Sequence, residues 1–345
     1  AMGFFAAAQA VGVSAGPIVG GLLLDTLCWR WVFWAAVPFA VAAAALGWLA
    51  LPQTAGPTPE RRFDWWGALL LMPALTLLVL ALNQVAAWGP ASPPFLLCAG
   101  IAAALLVALI RQESRVSPPL VDLRLFATPG FVHGAVAALL GYALLYGMFF
   151  LMSFTLVRGY HETASVAGLR LAVIPMAIGL VAPFSGGPSE HWGASRLAAV
   201  GMALCIAALL GLSFVADDPT TGRSLGMALL ALFGAGLGLF IAPSNHAALA
   251  AAPAAVAGEA GAMLNLMRVL GTSVGVASAS AMLSWRMPVQ HDAPRAGWLF
   301  EGQPVIDAVE SSLAMLALFA AAAMILSLLG ARSTGRQERL RKAGA

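Results

Sequence analysis

The chain carries very little charge for its length. Only 10% of its 345 residues are charged and 61% are hydrophobic, whereas soluble domains average about 25% charged and about 45–50% apolar residues. Lys342 is the only lysine, and the formal net charge is +3. So small and dispersed a positive charge argues against a nucleic-acid-binding protein, and the apolar excess predicts a polytopic membrane protein.

The sequence also lacks the patterns of metal and nucleotide sites. Its three cysteines, Cys28, Cys98 and Cys205, are far apart and without metal-ligand spacing, so we interpret them as small apolar residues. The glycines of 234–238 lie inside an apolar run with no preceding strand, which indicates close helix packing rather than a nucleotide loop. With no P-loop in the sequence, direct ATP hydrolysis is not expected.

Hydrophobic runs predict ten membrane spans, because a helix needs roughly 20 apolar residues to cross a bilayer. One set of connections plus the C-terminal segment holds eleven of the basic residues and the other set holds six, which predicts that both termini are cytoplasmic. The predicted spans are 3–24, 31–51, 66–85, 94–111, 131–156, 164–187, 194–215, 224–247, 258–284 and 308–331.

No aspartate or glutamate lies in the middle of a predicted span. Asp25 is at a predicted outer end, and Glu190 and Glu259 are at predicted inner ends. A proton-coupled pump needs a carboxylate that titrates inside its cavity. We therefore expect that these ten helices alone do not couple a proton gradient.

Glycine spacing distinguishes the first span. Gly12, Gly16 and Gly20 are four residues apart, so on a helix they form a ridge without side chains, against which a second helix can pack closely. Pro17 removes one backbone donor at mid-depth. Glycine-rich membrane helices are common, and the alternative interpretation is tight packing without any specific function.

A longer pattern around these glycines resembles a known motif. Six residues fit Gly-x8-Gly-x3-Gly-Pro-x2-Gly-Gly, the antiporter motif of drug:proton exporters in the major facilitator superfamily. The following 29–33 segment and Pro38 resemble the signature of the fourteen-helix branch, although Ala36 stands where the family usually has Asn. The six motif residues are Gly3, Gly12, Gly16, Pro17, Gly20 and Gly21.

The resemblance implies an all-α membrane protein with the major facilitator fold, of which ten transmembrane helices are present. It implies that the chain is an N-terminally truncated member that lacks the first four helices. The implied organisation is the last two helices of the N-terminal bundle (1–51), linkers with an inserted helix pair (52–126, with 66–85 and 94–111), a six-helix C-terminal bundle (127–331) and a basic cytoplasmic tail (332–345).

A second segment, 186–196, resembles the loop motif of the superfamily. Gly186, Gly193 and Arg196 match that motif and Glu190 replaces its Asp, whereas three other positions depart from it. In the family this loop makes charge contacts that latch the closed state, so Glu190 and Arg196 are candidate gating charges. The alternative is a solvated turn between two helices.

Polar residues recur on one face of the span 258–284. Asn265, Arg268 and Thr272 follow Gly261 at helical spacing, and Glu259 precedes them by one to two turns. The pattern resembles the eleventh core helix of this exporter branch. Arg268 and Glu259 are therefore candidates for a structural or gating charge, and Asn265 for cargo binding. The alternative is an arginine that extends to the membrane interface.

An aromatic face is predicted in the span 131–156. Tyr142, Tyr146, Phe149 and Ser153 fall within about 60° of one another on a helix, and Met148, Phe150 and Met152 are expected to widen this surface. Aromatic and methionine-rich walls suit bulky lipophilic cargo. Such a stripe also occurs as ordinary helix packing, and both interpretations stay open.

The resemblance implies a secondary active efflux transporter, in which inward proton movement drives hydrophobic or cationic drug-like compounds outward by alternating access. It implies no cofactor other than the proton gradient. The implied partners are the lipid bilayer, protons and a lipophilic small molecule, with no nucleotide or nucleic acid, in a bacterial cytoplasmic membrane. The alternatives are a dedicated exporter of one metabolite or siderophore, a fragment that is inactive alone, and a membrane enzyme. For an enzyme, the nearest candidate polar pair is Glu190 and His191, which lacks a nucleophile or a metal-ligand partner.

Overall fold

The computed structural model describes residues 2–50, 64–116, 122–216, 219–253, 256–286 and 303–343. Every regular element in these ranges is helical. The α-helices are α1 (Met2–Thr26), α2 (Trp29–Ala50), α3 (Trp65–Trp88), α4 (Pro93–Glu113), α5 (Pro129–Phe154), α6 (Ala164–Leu171), α7 (Val173–Val181), α8 (Gly186–Trp192), α9 (Ala194–Val215), α10 (Pro219–Ala251), α11 (Ala257–Arg286) and α12 (Gln303–Ala343).

Nine segments within these ranges are long and apolar enough to cross a membrane, which confirms the all-α membrane fold class. The first predicted span is helix α1, whose described apolar part is Val11–Thr26. The nine segments are Trp29–Ala50, Trp65–Val85, Pro93–Glu113, Pro129–Gly159, Ala164–Ser189, Ala194–Val215, Ser224–Ala251, Ala257–Arg286 and Val305–Gly330.

The predicted span 164–187 is not one regular helix. It is divided into α6, α7 and a 3-10 turn (Ala182–Ser185) that leads into α8. Pro175 lacks a backbone donor and its ring clashes with the carbonyl four residues earlier, at Leu171, where α6 ends. Helix α7 begins at Val173, so helical structure continues within the same apolar segment.

The main core lies between α5, α9, α10 and α12, with α7 against α10 and α11 against α5. Large side chains from each of the four helices fill it, among them Leu144, Met202, Phe233 and Leu316, all fully buried. In a bilayer such packing, rather than hydrophobicity, drives helix association. This core gives α5 a fixed position, with one face inward and another toward α11.

The glycines at 234–238 pack helices closely, as predicted. A Cβ at Gly234 would overlap the Ile174 carbonyl oxygen on α7, and one at Gly236 would lie 2.6 Å from the Gly201 carbonyl oxygen on α9. Successive glycines two residues apart therefore face two different neighbours. Both neighbours approach α10 at backbone distance because no side chain separates them.

The first four helices lie outside this core. Helix α1 packs against α6 and α7, α2 has no buried residue, and α3 packs against α4 and α11. At the start of α3, Asp64 accepts a hydrogen bond from the Gly67 backbone N–H (2.9 Å), as expected for an N-cap. The predicted linker residues 52–63 lie outside the described ranges.

Helical structure continues beyond two predicted spans, although the apolar part of α12, Val305–Gly330, agrees with the predicted span 308–331. Helix α12 continues to Ala343, so the predicted tail 332–345 is helical over its described part. The predicted connection 188–193 is mostly the short helix α8, and the turn is reduced to Gly193 with φ of +85°. That backbone conformation favours glycine, which explains why the turn falls there.

Candidate cargo surface on α5 and α11

Two glycines bring α11 against α5. A Cβ at Gly271 would overlap the Leu139 carbonyl oxygen and lie 3.1 Å from the Tyr142 Cβ, and one at Gly275 would overlap the Ala143 carbonyl oxygen. The two backbones are therefore in direct contact over one turn. This contact fixes which face of α11 is presented beside Tyr142.

Arg268 lies one turn before Gly271 and contacts two other predicted site residues. Its Nη2 donates a hydrogen bond to the Asn265 Oδ1 (2.5 Å), and its guanidinium carbon lies 5.8 Å from the centroid of the Tyr142 ring. An arginine within about 6 Å of an aromatic face makes a favourable cation–π contact. Arg268 thus has protein partners on both helices.

The aromatic face continues along α5 from this cluster. The Tyr146 and Phe149 rings are 6.1 Å apart between centroids, and Tyr146 is 38% exposed. The Ser153 hydroxyl donates to the Phe149 carbonyl oxygen (2.7 Å), so its proton is used within the helix. We call Tyr142, Tyr146, Phe149, Ser153, Asn265 and Arg268 together the α5–α11 surface.

The predicted widening of this surface by methionines is wrong. Met148 is fully buried and Met152 is 5% exposed, and both belong to the main core. Met148 is two residues from Tyr146, which turns its side chain to the other side of the helix. Phe150 packs on Phe154 at 5.1 Å between ring centroids. The exposed part of the surface is therefore aromatic.

Among the described residues, Glu259 and Arg268 form no ion pair with each other. Glu259 is half-buried, and its Oε2 accepts the backbone N–H of Asp122 (3.2 Å), so it fixes the start of α11 to the segment before α5. Arg196 is exposed on the first turn of α9. Glu190 lies in α8, and its side chain is outside the described set. The latch remains a prediction.

The antiporter-motif ridge does not pack as predicted. Within the described residues, nothing lies within 4 Å of a Cβ placed at Gly12, Gly16 or Gly20. Helix α1 instead uses an adjacent face, where a Cβ at Gly21 would overlap the Ala164 carbonyl oxygen, and one at Gly168 would overlap that of Pro17. Gly3 lies in α1, among residues whose side-chain surroundings are not described.

Asp25 strengthens this α1–α6 contact. Its two carboxylate oxygens accept the backbone N–H groups of Ala164 (3.1 Å) and Ser165 (2.7 Å), which are free donors at the start of α6. Asp25 lies one residue beyond the predicted span. The hydrogen bonds from Ser165 hold the pKa of Asp25 below its ordinary value. The carboxylate is therefore a helix cap that stays ionised near neutral pH.

Comparison with known proteins identifies the family. Residues 1–276 match the model described as Major Facilitator Superfamily. The chain belongs to this superfamily. Similar proteins are the drug efflux pump JefA of Mycobacterium tuberculosis (30% identity over 273 residues, 77% of this chain and 52% of the relative), the riboflavin transporter RibZ of Clostridioides difficile (28% over 286 residues, 82% and 60%) and the tetracenomycin C resistance and export protein of Streptomyces glaucescens (28% over 288 residues, 83% and 53%).

These matches support a major facilitator transporter of the drug-efflux branch, as the motif resemblance predicted. The chain spans about half the length of these curated relatives, between 52% and 60% for the three named here. What the whole protein transports, and how it is driven, is therefore a matter of proposal for this chain.

The structure of this major facilitator chain contains one ion pair that the sequence analysis did not predict. The Arg170 Nε lies 3.0 Å from the Glu162 Oε2, with side-chain exposures of 18% and 6%. Beside it the Tyr160 hydroxyl donates to the Ala216 carbonyl oxygen (2.9 Å), at the end of the π-helical turn Thr155–Gly159. Arg170 is one of the six basic residues in the smaller of the two sets that predict the orientation. Its place inside the apolar run 164–187 was the signal that it needs a buried partner.

Proposed function

We propose that this transporter is a proton-driven antiporter that exports hydrophobic or cationic drug-like compounds by alternating access. The observation that carries the proposal is the α5–α11 surface, where Arg268 is held by Tyr142 and Asn265 and the exposed Tyr146 lies one turn farther along α5. Two of the three relatives above are named for drug efflux or export of a compound. Large aromatic walls with few polar groups are typical of sites for lipophilic ligands.

The charge of this surface favours one of the two cargo classes. Arg268 is the charged group of the α5–α11 surface, and a cationic compound placed beside Tyr142 would meet its positive guanidinium. A neutral aromatic compound avoids this repulsion and can still pack on the rings of Tyr146 and Phe149. We therefore infer that these helices prefer uncharged lipophilic cargo.

Alternating access requires a contact that opens and closes. The α1–α6 contact suits this role. The backbones of the two helices approach closely at Gly21 and Gly168, and the Asp25 carboxylate caps the start of α6. We propose that residues 1–51 and 127–331 move against each other there, with 52–126 as the inserted pair and its linkers. We further propose that both termini face the cytoplasm of a bacterial cell.

Binding of matched dyes to the purified chain tests the cargo assignment. We expect a neutral lipophilic dye to bind more tightly than a cationic dye of similar size. We also expect Tyr146→Ala to lower the affinity for the neutral dye about 2- to 10-fold, since an aromatic pair is worth about 0.5–1.5 kcal/mol. Phe214→Ala is the control, because Phe214 is 84% exposed on α9, away from this surface. Equal loss in both variants, or tighter binding of the cation, contradicts the assignment.

A dedicated exporter of one compound is the second candidate, favoured by the relative named as a riboflavin transporter. A competition panel separates the two. Displacement of the dye by many unrelated lipophilic compounds supports multidrug efflux, whereas displacement by riboflavin or one other compound alone supports the dedicated exporter.

A further inference from the structure

The charge of Arg268 lies deep within α11. The residue is about 16 Å along the helix from Ala257, and a hydrocarbon core is about 30 Å thick. Its guanidinium carbon lies 5.8 Å from the centroid of the Tyr142 ring. Tyr142 is itself about 20 Å along α5 from Pro129. The contact with Tyr142 therefore keeps the positive charge far from either end of both helices.

Arg268 has no carboxylate partner within the described part of the chain. The partners that it has there are the Asn265 Oδ1 and the Tyr142 ring, and both are uncharged. The one acidic residue of α11, Glu259, lies about 14 Å away by helical rise, and its Oε2 accepts the backbone N–H of Asp122. A cation at membrane depth is costly and is normally paired with an anion or faces water. The α5–α11 surface thus has a positive charge that no described carboxylate balances.

The hydrogen-bond donors of this cluster match a carboxylate group. A guanidinium carries five N–H donors in a planar fork, and within the described residues only one of those of Arg268 is used, on the Asn265 Oδ1. Because that oxygen accepts from Arg268, the amide nitrogen of the exposed Asn265 is a further donor beside it. A planar fork binds both oxygens of a carboxylate through parallel hydrogen bonds. The polar end of a matching ligand is therefore planar and negatively charged.

Aromatic rings continue from this cation along α5. Tyr146 lies about 6 Å and Phe149 about 10 Å beyond Tyr142 by helical rise. Tyr146 is 38% exposed, and its ring is 6.1 Å from that of Phe149 between centroids. Such rings pack on the faces and edges of other aromatic groups. The distances suit a ligand of two or three fused rings with its charged group at one end.

We propose that the α5–α11 surface binds lipophilic aromatic carboxylates. The carboxylate pairs with Arg268 and Asn265, and the rings of the ligand pack on Tyr146 and Phe149. The proposal rests on the proposed function, which makes this surface the cargo site, and adds a third cargo class to the two compared there. Arg268 repels cationic cargo and is indifferent to uncharged cargo, whereas an anion supplies the missing counter-charge.

Two opposing effects decide whether such an anion binds. Removing a carboxylate from water is costly, and pairing with a cation offsets this cost only where hydrogen bonds also satisfy its oxygens. The donors of Arg268 and Asn265 meet that condition. The unpaired guanidinium is also relieved of its own unfavourable position. We therefore expect affinity to fall in the order anionic, uncharged, cationic. An anionic lipid headgroup does not fit, because it stays at the membrane surface.

A matched pair of fluorescent probes tests the proposal on the full chain in phosphatidylcholine nanodiscs. The probes are 2-anthracenecarboxylate and its primary amide, which share one ring system and differ in charge at about pH 7.5, where the acid is ionised. Empty nanodiscs correct for partition into lipid. We expect the chain to bind the carboxylate about 10-fold more tightly than the amide, because hydrogen bonds to charged groups are the stronger ones.

Variants of Arg268 identify the group that recognises the charge. Arg268→Gln should lower the affinity for the carboxylate about 10- to 100-fold and leave that for the amide nearly unchanged. Arg268→Lys should lose part of the preference, since it keeps the charge without the planar fork. Arg286→Gln is the matched control. Arg286 also lies on α11 over an aromatic ring, 5.4 Å from that of Trp285, but it is exposed at the end of the helix.

The amide separates failure of this proposal from failure of the proposed function. Amide binding that equals or exceeds carboxylate binding in the unmodified chain overturns the carboxylate site, because the charge of Arg268 is then met by another group, and leaves the cargo surface standing. Absence of binding by both probes overturns the cargo surface and this proposal with it. If Arg268→Gln loses the amide as well, Arg268→Lys decides. An equal fall for the two probes in that variant, or an equal loss of carboxylate binding in Arg286→Gln, also overturns the proposal.

Discussion

The α1–α6 contact allows a test with two adjacent residues of one helix. Gly21→Ala places a methyl group against the Ala164 carbonyl oxygen, whereas Gly20→Ala points into a region with nothing within 4 Å among the described residues. Both residues belong to the antiporter motif and lie at the same depth in α1. The pair therefore separates the packing of this motif from its composition.

The structure gives the magnitude of the difference. Both substitutions gain about 1 kcal/mol of helix propensity, because alanine replaces glycine inside a helix. Only the Cβ at position 21 overlaps backbone, and it would also lie 3.1 Å from the Ser165 Cα. Backbone cannot rotate aside as a side chain can, so α1 and α6 must separate, and overpacking of this kind costs about 1–3 kcal/mol. Since the propensity gain is shared, Gly21→Ala should weaken the contact by about 1–3 kcal/mol relative to Gly20→Ala.

Hydrogen–deuterium exchange of α6 measures this difference. The backbone N–H groups of Ala164 and Ser165 are protected by the Asp25 carboxylate, and separation of the helices exposes them. An opening equilibrium shifted by 1–3 kcal/mol corresponds to about 5- to 150-fold faster exchange. We expect that increase in Gly21→Ala and unchanged or slower exchange in Gly20→Ala. Equal exchange in the two variants would refute the packing argument.

Two further predictions concern the Arg170–Glu162 ion pair and the cysteines. Arg170→Met should lower the free energy of unfolding in detergent by about 3–5 kcal/mol, since it leaves the buried Glu162 without this ion pair. The double variant with Glu162→Gln should recover part of that loss. An unchanged unfolding midpoint in the single variant would contradict this prediction. In intact cells, an impermeant thiol reagent should label the exposed Cys28 and leave the buried Cys205 unmodified, and labelling of Cys28 only after lysis would reverse the predicted orientation.

Local composition was enough to predict most helices. Runs of apolar residues must become helices in a bilayer, because every backbone polar group there needs an internal partner. The predicted span 94–111 corresponds to helix α4 (Pro93–Glu113), and the predicted span 194–215 coincides with helix α9 (Ala194–Val215). Helix ends were less predictable where polar sequence continued a helix, as in α12, since length and charge do not show where a helix stops outside the membrane.

The candidate site was predictable only in part. Helical periodicity placed Tyr142, Tyr146 and Phe149 on one face of α5, and a polar face on α11. Periodicity on one helix cannot show which neighbour covers it. For that reason Met148 was assigned to the surface although it packs in the main core, and the partner of Arg170 was not foreseen.

The fold class, the family motif and the residue types of the candidate surface were predictable from the sequence, because these depend on composition and on spacing along single helices. The contacts between helices depend on the packing of the whole fold. That packing puts Arg268 against Tyr142 and Asp25 on the start of α6. Among the described residues nothing packs against Gly16, whereas Gly271 and Gly275 contact α5 closely. A glycine allows close approach on any helix, but the approach occurs only where the rest of the fold brings a second backbone to that face.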